Sequence, residues 1–175
     1  MASINGISLK GINHHRGHEG ESLLQASVCF LDKKVGFYSD GDWGGPHTLD
    51  VPSDLEKKFE EYYSFEYPDL KGLHILIWDL QTLIENEKVY KNLAKKDCPI
   101  MIAYKEDIRG WQVNYVGYDK AQDRFSDKQF IDSLKTKFPN VAVLAIYRSL
   151  DDFNVKDVSC LKPAHVNSNE MDVER

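Results

Sequence analysis

The first 45 residues contain three runs that are typical of β-strands joined by short connections. Residues 22–31, "SLLQASVCFL", alternate so that Leu24, Ala26 and Val28 share one face, and "ISLKGINHH" and "VGFYSD" lie on either side. Only residues 32–34 separate the second run from the third, which is typical of a hairpin. We therefore predict a three-stranded antiparallel meander, and this order fixes which loops meet at each end of the sheet.

Three amphipathic patterns that favour helices follow the meander. "VPSDLEKKFEEYY" begins with Ser53 and Glu56, which form an S-x-x-E capping box. Leucine and isoleucine then recur with helical spacing over residues 73–84. "EKVYKNLAKK" predicts a third, short helix whose basic end complements the helix dipole.

The second half of the chain returns to β-structure. "PIMIAYK" and "WQVNYVG" predict a hairpin, Ser126 and Gln129 form a capping box for a further helix, and "VAVLAIY" has the composition of a buried strand. The order β-β-β-α-α-α-β-β-α-β predicts an α+β fold: an N-terminal three-stranded antiparallel meander, helices, and then a β-hairpin, a helix and a strand.

The length and composition of the chain predict one domain. The 175 residues, of which 42% are hydrophobic, are enough for one core, and we expect a single domain over residues 1–150 and a flexible tail over 151–175. No apolar run approaches the roughly 20 residues that span a bilayer, and the N-terminus lacks a signal-peptide pattern, so a cytoplasmic location is expected. The three cysteines include no C-x-x-C pair, and no cofactor is expected.

Two polar loops are predicted to meet at one end of the meander. The end of the first strand, the start of the second and the end of the third lie together in such a sheet. "HHRGHEGE", residues 14–21, should therefore lie beside "SDGDWGGPH", residues 39–47. The side chains that this arrangement can bring together are His14, His15, His18, Glu19, Glu21, Asp40, Asp42 and His47.

These loops have two interpretations. Imidazole and carboxylate groups suit zinc, manganese or iron, so a metal-dependent enzyme that binds metal through His14, His18, Asp40 and Asp42 is one alternative. The other is an ordinary polar loop, because Gly17 and Gly20 allow a freedom that a preorganised site does not favour. No complete catalytic motif is present, and we assign no catalytic residue. We instead predict a binding surface composed of Arg16, His18, Glu19, Asp40, Asp42, Trp43, Glu56, Glu60 and Glu61.

The charges are unevenly distributed along the chain. The net charge is -6, which disfavours direct nucleic-acid binding. Residues 50–69 carry seven acidic and two basic side chains, whereas residues 88–109 carry six basic and three acidic ones. Carboxylates along the acidic helix are compatible with imitation of nucleic-acid phosphates, and ordinary solvation explains them equally well.

A third interpretation concerns the aromatic residues of the second hairpin. Aromatic side chains stack on bases when they line an open sheet. The second alternative is therefore an RNA or single-stranded DNA binding module. Its stacking residues would be Tyr104, Trp111, Tyr115 and Tyr118, beside Lys105 and Arg109.

The stretch "DKKVGFYSDGDWGGP", which follows "RGHEGESLLQASVCFLD", resembles the opening of small uncharacterised proteins carried by bacteriophages and other mobile elements. The later "YKNLAKKDCPIMIAYK", followed by "GWQV", is similar to the same group, so the resemblance covers roughly residues 7 to 147. It supplies no catalytic residues. It implies an accessory protein that binds host machinery, including bacterial immune nucleases, without catalysis.

The interpretation that we favour from sequence is stoichiometric protein binding. The expected partner is a host or bacterial protein, which includes nucleases that bind nucleic acid, and the expected action includes inhibition of host defence in the manner of an anti-CRISPR protein. No membrane partner is expected. The metal-dependent enzyme and the RNA or single-stranded DNA binding module remain the alternatives.

Overall fold

The structure is a computed structural model that describes residues 1–41, 48–57, 74–107, 110 and 112–156. It contains both strands and helices, and the predicted α+β class is confirmed. The chain divides into two compact units, whereas the sequence predicted one domain over residues 1–150. Unit 1 comprises Met1–Ile84 and Asn154–Cys160, and unit 2 comprises Glu85–Phe153 and Leu161–Arg175.

Unit 1 is built around a six-stranded sheet with the order β5-β4-β3-β2-β1-β9. The predicted meander is confirmed, because β2, β3 and β4 pair antiparallel in sequence order. β9 pairs with β1 in parallel. The strands of this sheet are β1 (Ser3–Ile4), β2 (Ile7–Arg16), β3 (Ser22–Phe30), β4 (Lys33–Ser39), β5 (Thr48–Asp50) and β9 (Asn154–Val155).

Two tight turns connect strands at the end of this sheet opposite the polar loops. Asn5 and Gly6 join β1 to β2, and Leu31 and Asp32 join β3 to β4; all four residues have positive φ. Two-residue loops with positive φ match the twist of hairpin strands, and Asn-Gly is their commonest sequence. The predicted turn at residues 32–34 therefore lies slightly too late, and the short hairpin at Asn5 was missed although "INGI" signals it.

The predicted tail does not begin at residue 151. A 3-10 turn covers Leu150–Phe153 and leads directly into β9. Phe153 is fully buried, and its ring stacks on Tyr147 with 4.3 Å between centroids. The prediction is wrong for residues 151–156 because one buried aromatic ring and two paired strand residues fix them. Residues 157–175 lie outside the described residues.

One long helix, α1 (His74–Ala94), replaces the second and third predicted helices. No glycine or proline separates the two predicted segments, so nothing ends the first of them. The buried positions continue from Leu76 and Leu80 to Leu83 and Tyr90. The residues up to Ile84 belong to unit 1 and the rest to unit 2.

Unit 2 contains a three-stranded antiparallel sheet with the order β7-β6-β8. Its elements are β6 (Ile100–Lys105), β7 (Asn114–Tyr118), α2 (Asp127–Lys137) and β8 (Ala142–Tyr147). The predicted hairpin is confirmed, and so is the capping box, in which the N–H of Gln129 donates to the Ser126 side chain. Ile102 and Tyr104 on one face of β6 form a core with Phe130 and Leu134 of α2.

None of the helices in the described ranges is long and apolar enough to cross a membrane.

Candidate binding surface

The meander places the strand ends that carry the two polar loops side by side. His14 of β2 pairs with Leu24 of β3, and the backbone N–H of Asp40, just after β4, donates to the Leu24 carbonyl at 2.9 Å. The end of β2, the start of β3 and the end of β4 are therefore adjacent. Asp42, Trp43 and His47 lie outside the described residues, so their participation in this surface remains a prediction.

The turn between β2 and β3, residues 17–21, has a defined geometry, and we call it the hairpin tip. The Gly20 N–H donates to the Gly17 carbonyl at 3.1 Å, and the Gly17 N–H donates to the Glu21 carbonyl at 2.8 Å. Gly20 has a φ of +88°, which favours glycine. This is the pattern of a turn followed by a glycine bulge. It places exposed His18 and Glu19 at the apex.

The two glycines of the tip provide room for side chains from the flanking strands. A Cβ at Gly20 would lie 3.5 Å from the Arg16 Nε, and a Cβ at Gly17 would overlap the Glu21 carboxylate. The Arg16 and Glu21 side chains therefore extend across the turn. The glycines were expected to loosen this loop, but here they let it close and let charged side chains fold over it.

The predicted surface residues have different environments. His14, Arg16, His18 and Glu19 are exposed. Asp40 is half-buried, and its carboxylate accepts from the Leu24 N–H at 2.7 Å and from the Tyr38 hydroxyl at 2.6 Å. Asp40 therefore fixes the end of the β3–β4 ladder, and its side chain turns toward the fold rather than toward a ligand.

The remaining acidic residues of the predicted surface lie beyond β5. Glu56 is exposed in a helical segment at residues 53–57, which begins with the N–H groups of Leu55 and Glu56 donating to the Pro52 carbonyl. Glu60 and Glu61 lie outside the described residues.

The predicted metal ligands are only partly placed. His14 of β2 and Asp40, just after β4, lie on opposite sides of β3. The Nδ1 of His14 lies 3.4 Å from the Ser22 hydroxyl, and Asp40 has the two partners given above. Within the described ranges, no group of three or more His, Cys, Asp or Glu side chains is placed to hold a metal ion. Asp42, the fourth predicted ligand, is outside those ranges.

Two polar groups near the tip face inward. The Nδ1 of His15 and the Oε2 of Glu21 are buried atoms without a hydrogen-bond partner among the described residues. His15 pairs with Leu23, so it projects from the face opposite to His14 and Leu24. The histidines of "HHRGHEGE" are thus divided between the two faces of the hairpin and do not form one cluster.

The aromatic residues of the second hairpin are packed within unit 2. Tyr104 is buried in the core with α2, and the rings of Tyr118 and Phe130 lie 4.7 Å apart. On the other face, the Tyr115 hydroxyl donates to the Asn86 side chain at 2.8 Å. The tyrosines considered for base stacking thus pack against α2 or contact Asn86 of α1. Trp111 lies outside the described residues.

Asn86 is the centre of a polar network that the sequence analysis missed. Its amide nitrogen donates to the Tyr147 hydroxyl at 3.0 Å, and its amide oxygen accepts from Tyr115. Burial raises the pKa of Tyr147 to about 12, although the hydrogen bond from Asn86 lowers it. The sequence does indicate that Asn86 is buried, because it lies three residues after Leu83 and four before Tyr90, which are both on the buried stripe of α1. The network links the part of α1 in unit 2 to β7 and β8.

The chain matches no protein-family model, no curated protein and no solved structure.

Proposed function

We propose that this protein acts by stoichiometric binding to a basic surface of another protein, and that unit 1 makes the contact. The observation that carries the proposal is the distribution of charge. Unit 1 contains 14 acidic and 8 basic residues, whereas unit 2 contains 14 of each, so the net charge of -6 belongs to unit 1. A field of one sign attracts a partner of the opposite sign and speeds its association.

The hairpin tip is the recognition element in this proposal. Its two backbone hydrogen bonds define the turn, and its apex carries His18 and Glu19 beside Arg16. A preordered loop loses little conformational entropy on binding, so more of its contact energy contributes to affinity. Arg16 adds the planar donor group that is enriched in interface hot spots.

The partner in this proposal is a host or bacterial protein with a basic groove, such as the nucleic-acid channel of a nuclease. The resemblance to phage and mobile-element accessory proteins supports a role as an inhibitor of host defence, acting in the cytoplasm. Carboxylates such as Glu19 and Glu56 would occupy positions that phosphates take in such a groove. No chemical step on the partner is required.

Two matched variants of the full chain test the proposal. The tip variant combines Arg16→Ala, His18→Ala and Glu19→Ala, and the control combines Asp32→Asn with Lys33→Ala at the opposite end of the sheet. Each removes one positive and one negative charge and leaves the net charge unchanged with His neutral. Tagged proteins are expressed in a bacterial host, the captured partner is identified by mass spectrometry, and binding is remeasured with purified components.

We expect the wild type and the control to capture the same partner in fixed stoichiometry, and the tip variant to lose it. Far-ultraviolet circular dichroism of all three proteins separates lost binding from lost folding. Equal capture by the tip variant, or no partner recovered by a folded wild type, contradicts the proposal.

A further inference from the structure

The turn between β1 and β2 consists of an Asn-Gly pair, Asn5 and Gly6. We propose that the side chain of Asn5 cyclises onto the backbone nitrogen of Gly6 and is converted by water to isoaspartate or aspartate. Asn5 is the only asparagine in the sequence that is followed by glycine. A glycine has no side chain to hinder attack by its nitrogen, and its backbone reaches more conformations than that of any other residue.

The surroundings of Asn5 leave both reacting groups available. Asn5 is exposed, and its side-chain amide makes no hydrogen bond to any residue that the structure describes. The Gly6 N–H likewise donates to no described acceptor. Among the described residues, neither the electrophilic carbon nor the attacking nitrogen is therefore held in a competing interaction.

The reaction balances with water as the only co-reactant. The Gly6 nitrogen bonds to the Asn5 Cγ, the bond from Cγ to Nδ2 breaks, and the proton from Gly6 leaves with the amide as ammonia. Water then opens the ring. Cleavage between the nitrogen and Cγ gives aspartate, and cleavage between the nitrogen and the backbone carbonyl carbon gives isoaspartate.

Asp40 and Gly41 form an internal comparison, because Asp-Gly pairs cyclise by the same route. The Asp40 carboxylate is held by the Leu24 N–H and the Tyr38 hydroxyl. Rotation of this carboxyl group toward the Gly41 nitrogen would break both hydrogen bonds. The structure thus protects one of the two pairs and leaves the other open.

Isoaspartate at position 5 would disturb the contacts that join three strands. The Asn5 N–H donates to the Val155 carbonyl of β9 at 2.8 Å, and the Gly6 carbonyl accepts from the Leu31 N–H at 2.9 Å. Isoaspartate inserts one methylene group into the backbone between these two residues. Both hydrogen bonds cannot keep their present geometry, so β9 and the β3–β4 turn would loosen together.

The test uses the full chain, aged at mildly alkaline pH, beside a fresh sample. We expect the mass of the intact chain to rise by about 1 Da for each amide hydrolysed, with peptide mapping and isoaspartyl methyltransferase labelling placing the change at Asn5. The Asn5→Gln variant, whose longer side chain cyclises poorly, should show no such change. Amide exchange at residue 5 and at Leu31, whose N–H groups donate in these two hydrogen bonds, should be faster in the aged sample.

Asn13 and Asn140 provide references within the same molecule. Modification of Asn5 that is no faster than modification of these two residues overturns the proposal, and so does isoaspartate that forms first at Asp40. Unchanged amide exchange at Leu31 in a fully modified sample overturns the predicted loosening. Fresh and aged wild type have the same sequence, so these outcomes do not depend on how the variant folds.

Discussion

Tyr147 and Asn86 show, at the scale of single residues, how a buried polar group is accommodated. Both are almost inaccessible to solvent, and a buried polar group without a partner is costly. An amide offers donors and an acceptor at once, so Asn86 satisfies Tyr147 with one end and Tyr115 with the other. Helical periodicity could predict that Asn86 faces inward. It could not predict the two tyrosines, which come from strands far along the chain.

The raised pKa of Tyr147 predicts a stability loss at high pH. The folded state holds the proton more tightly than the unfolded chain, whose pKa is the ordinary 10.0, so the contribution is complete below pH 10 and is lost as pH rises toward about 12. The free energy of unfolding should fall by up to roughly 3 kcal/mol over that interval. Chemical denaturation of the wild type and Tyr147→Phe across this pH range measures it.

The free energy of unfolding of the Tyr147→Phe variant should decline less with rising pH than that of the wild type. Tyr118→Phe is the matched control, because burial also raises the pKa of Tyr118 but Tyr118 lies on the other face of the sheet. If both substitutions reduce the decline in the free energy of unfolding with pH by the same amount, Tyr147 is not the main source of that decline.

At the scale of elements, the sequence predicted the long strands and the well-capped helix correctly. The β2–β3–β4 meander, the β6–β7 hairpin and α2 were found because alternation and the Ser126 capping box are local signals. β1 and β9 were not found, because two residues are too few to show alternation. Ser3 pairs with Asn154, so each of these strands exists only through a partner that is distant in sequence. The division of α1 into two helices was an error of the opposite kind, because a change in surface charge was taken as a boundary.

The hairpin tip gives a prediction at this scale, which compares Gly20→Ala with Gly17→Ala. The Gly20 substitution places a side chain at positive φ, where an L-residue costs roughly 1–2 kcal/mol. The Gly17 substitution only displaces the end of the flexible Glu21 side chain. We therefore expect Gly20→Ala to open the turn more than Gly17→Ala does.

Hydrogen exchange of the Gly17 amide, which donates to Glu21, measures this opening. Urea unfolding of both variants shows whether the effect stays in the tip or spreads to unit 1. An effect of Gly17→Ala equal to or larger than that of Gly20→Ala would contradict the assigned turn geometry.

At the scale of the whole molecule, the two units differ in net charge. The candidate surface could be predicted from sequence as far as the adjacency of the strand ends that carry its loops, because strand order fixes that adjacency. The role of Asp40 could not be predicted, since it depends on a hydrogen bond to the buried Tyr38 hydroxyl. The charge of each unit also could not be read from local sequence, because the division falls inside α1.

The charge distribution predicts how the protein responds to salt. Glu56→Lys in unit 1 and Asp132→Lys in unit 2 make the same change of charge on exposed helical residues. If unit 1 meets a basic partner, Glu56→Lys should slow association more strongly. The difference should shrink at high salt, because the screening length falls from about 10 Å at 0.1 M to about 3 Å at 1 M ionic strength.

Association rates of both variants with the captured partner, measured by surface plasmon resonance at low and high salt, check this prediction. Equal slowing by the two substitutions would indicate that only total charge matters. A larger effect of Asp132→Lys on the association rate would indicate that the partner contacts unit 2.

The pairing of β1 with β9 gives the described chain a nearly circular course. Ser3 and Asn154 are hydrogen-bonded neighbours although 151 positions separate them. A label joined to the N-terminus, two residues before Ser3, would therefore lie near the edge of the sheet where β1 pairs with β9. The ten residues of β2 separate that place from the hairpin tip by about 30 Å, at roughly 3.3 Å per residue. This attachment point can thus anchor the protein to a bead or sensor chip at a distance from the hairpin tip.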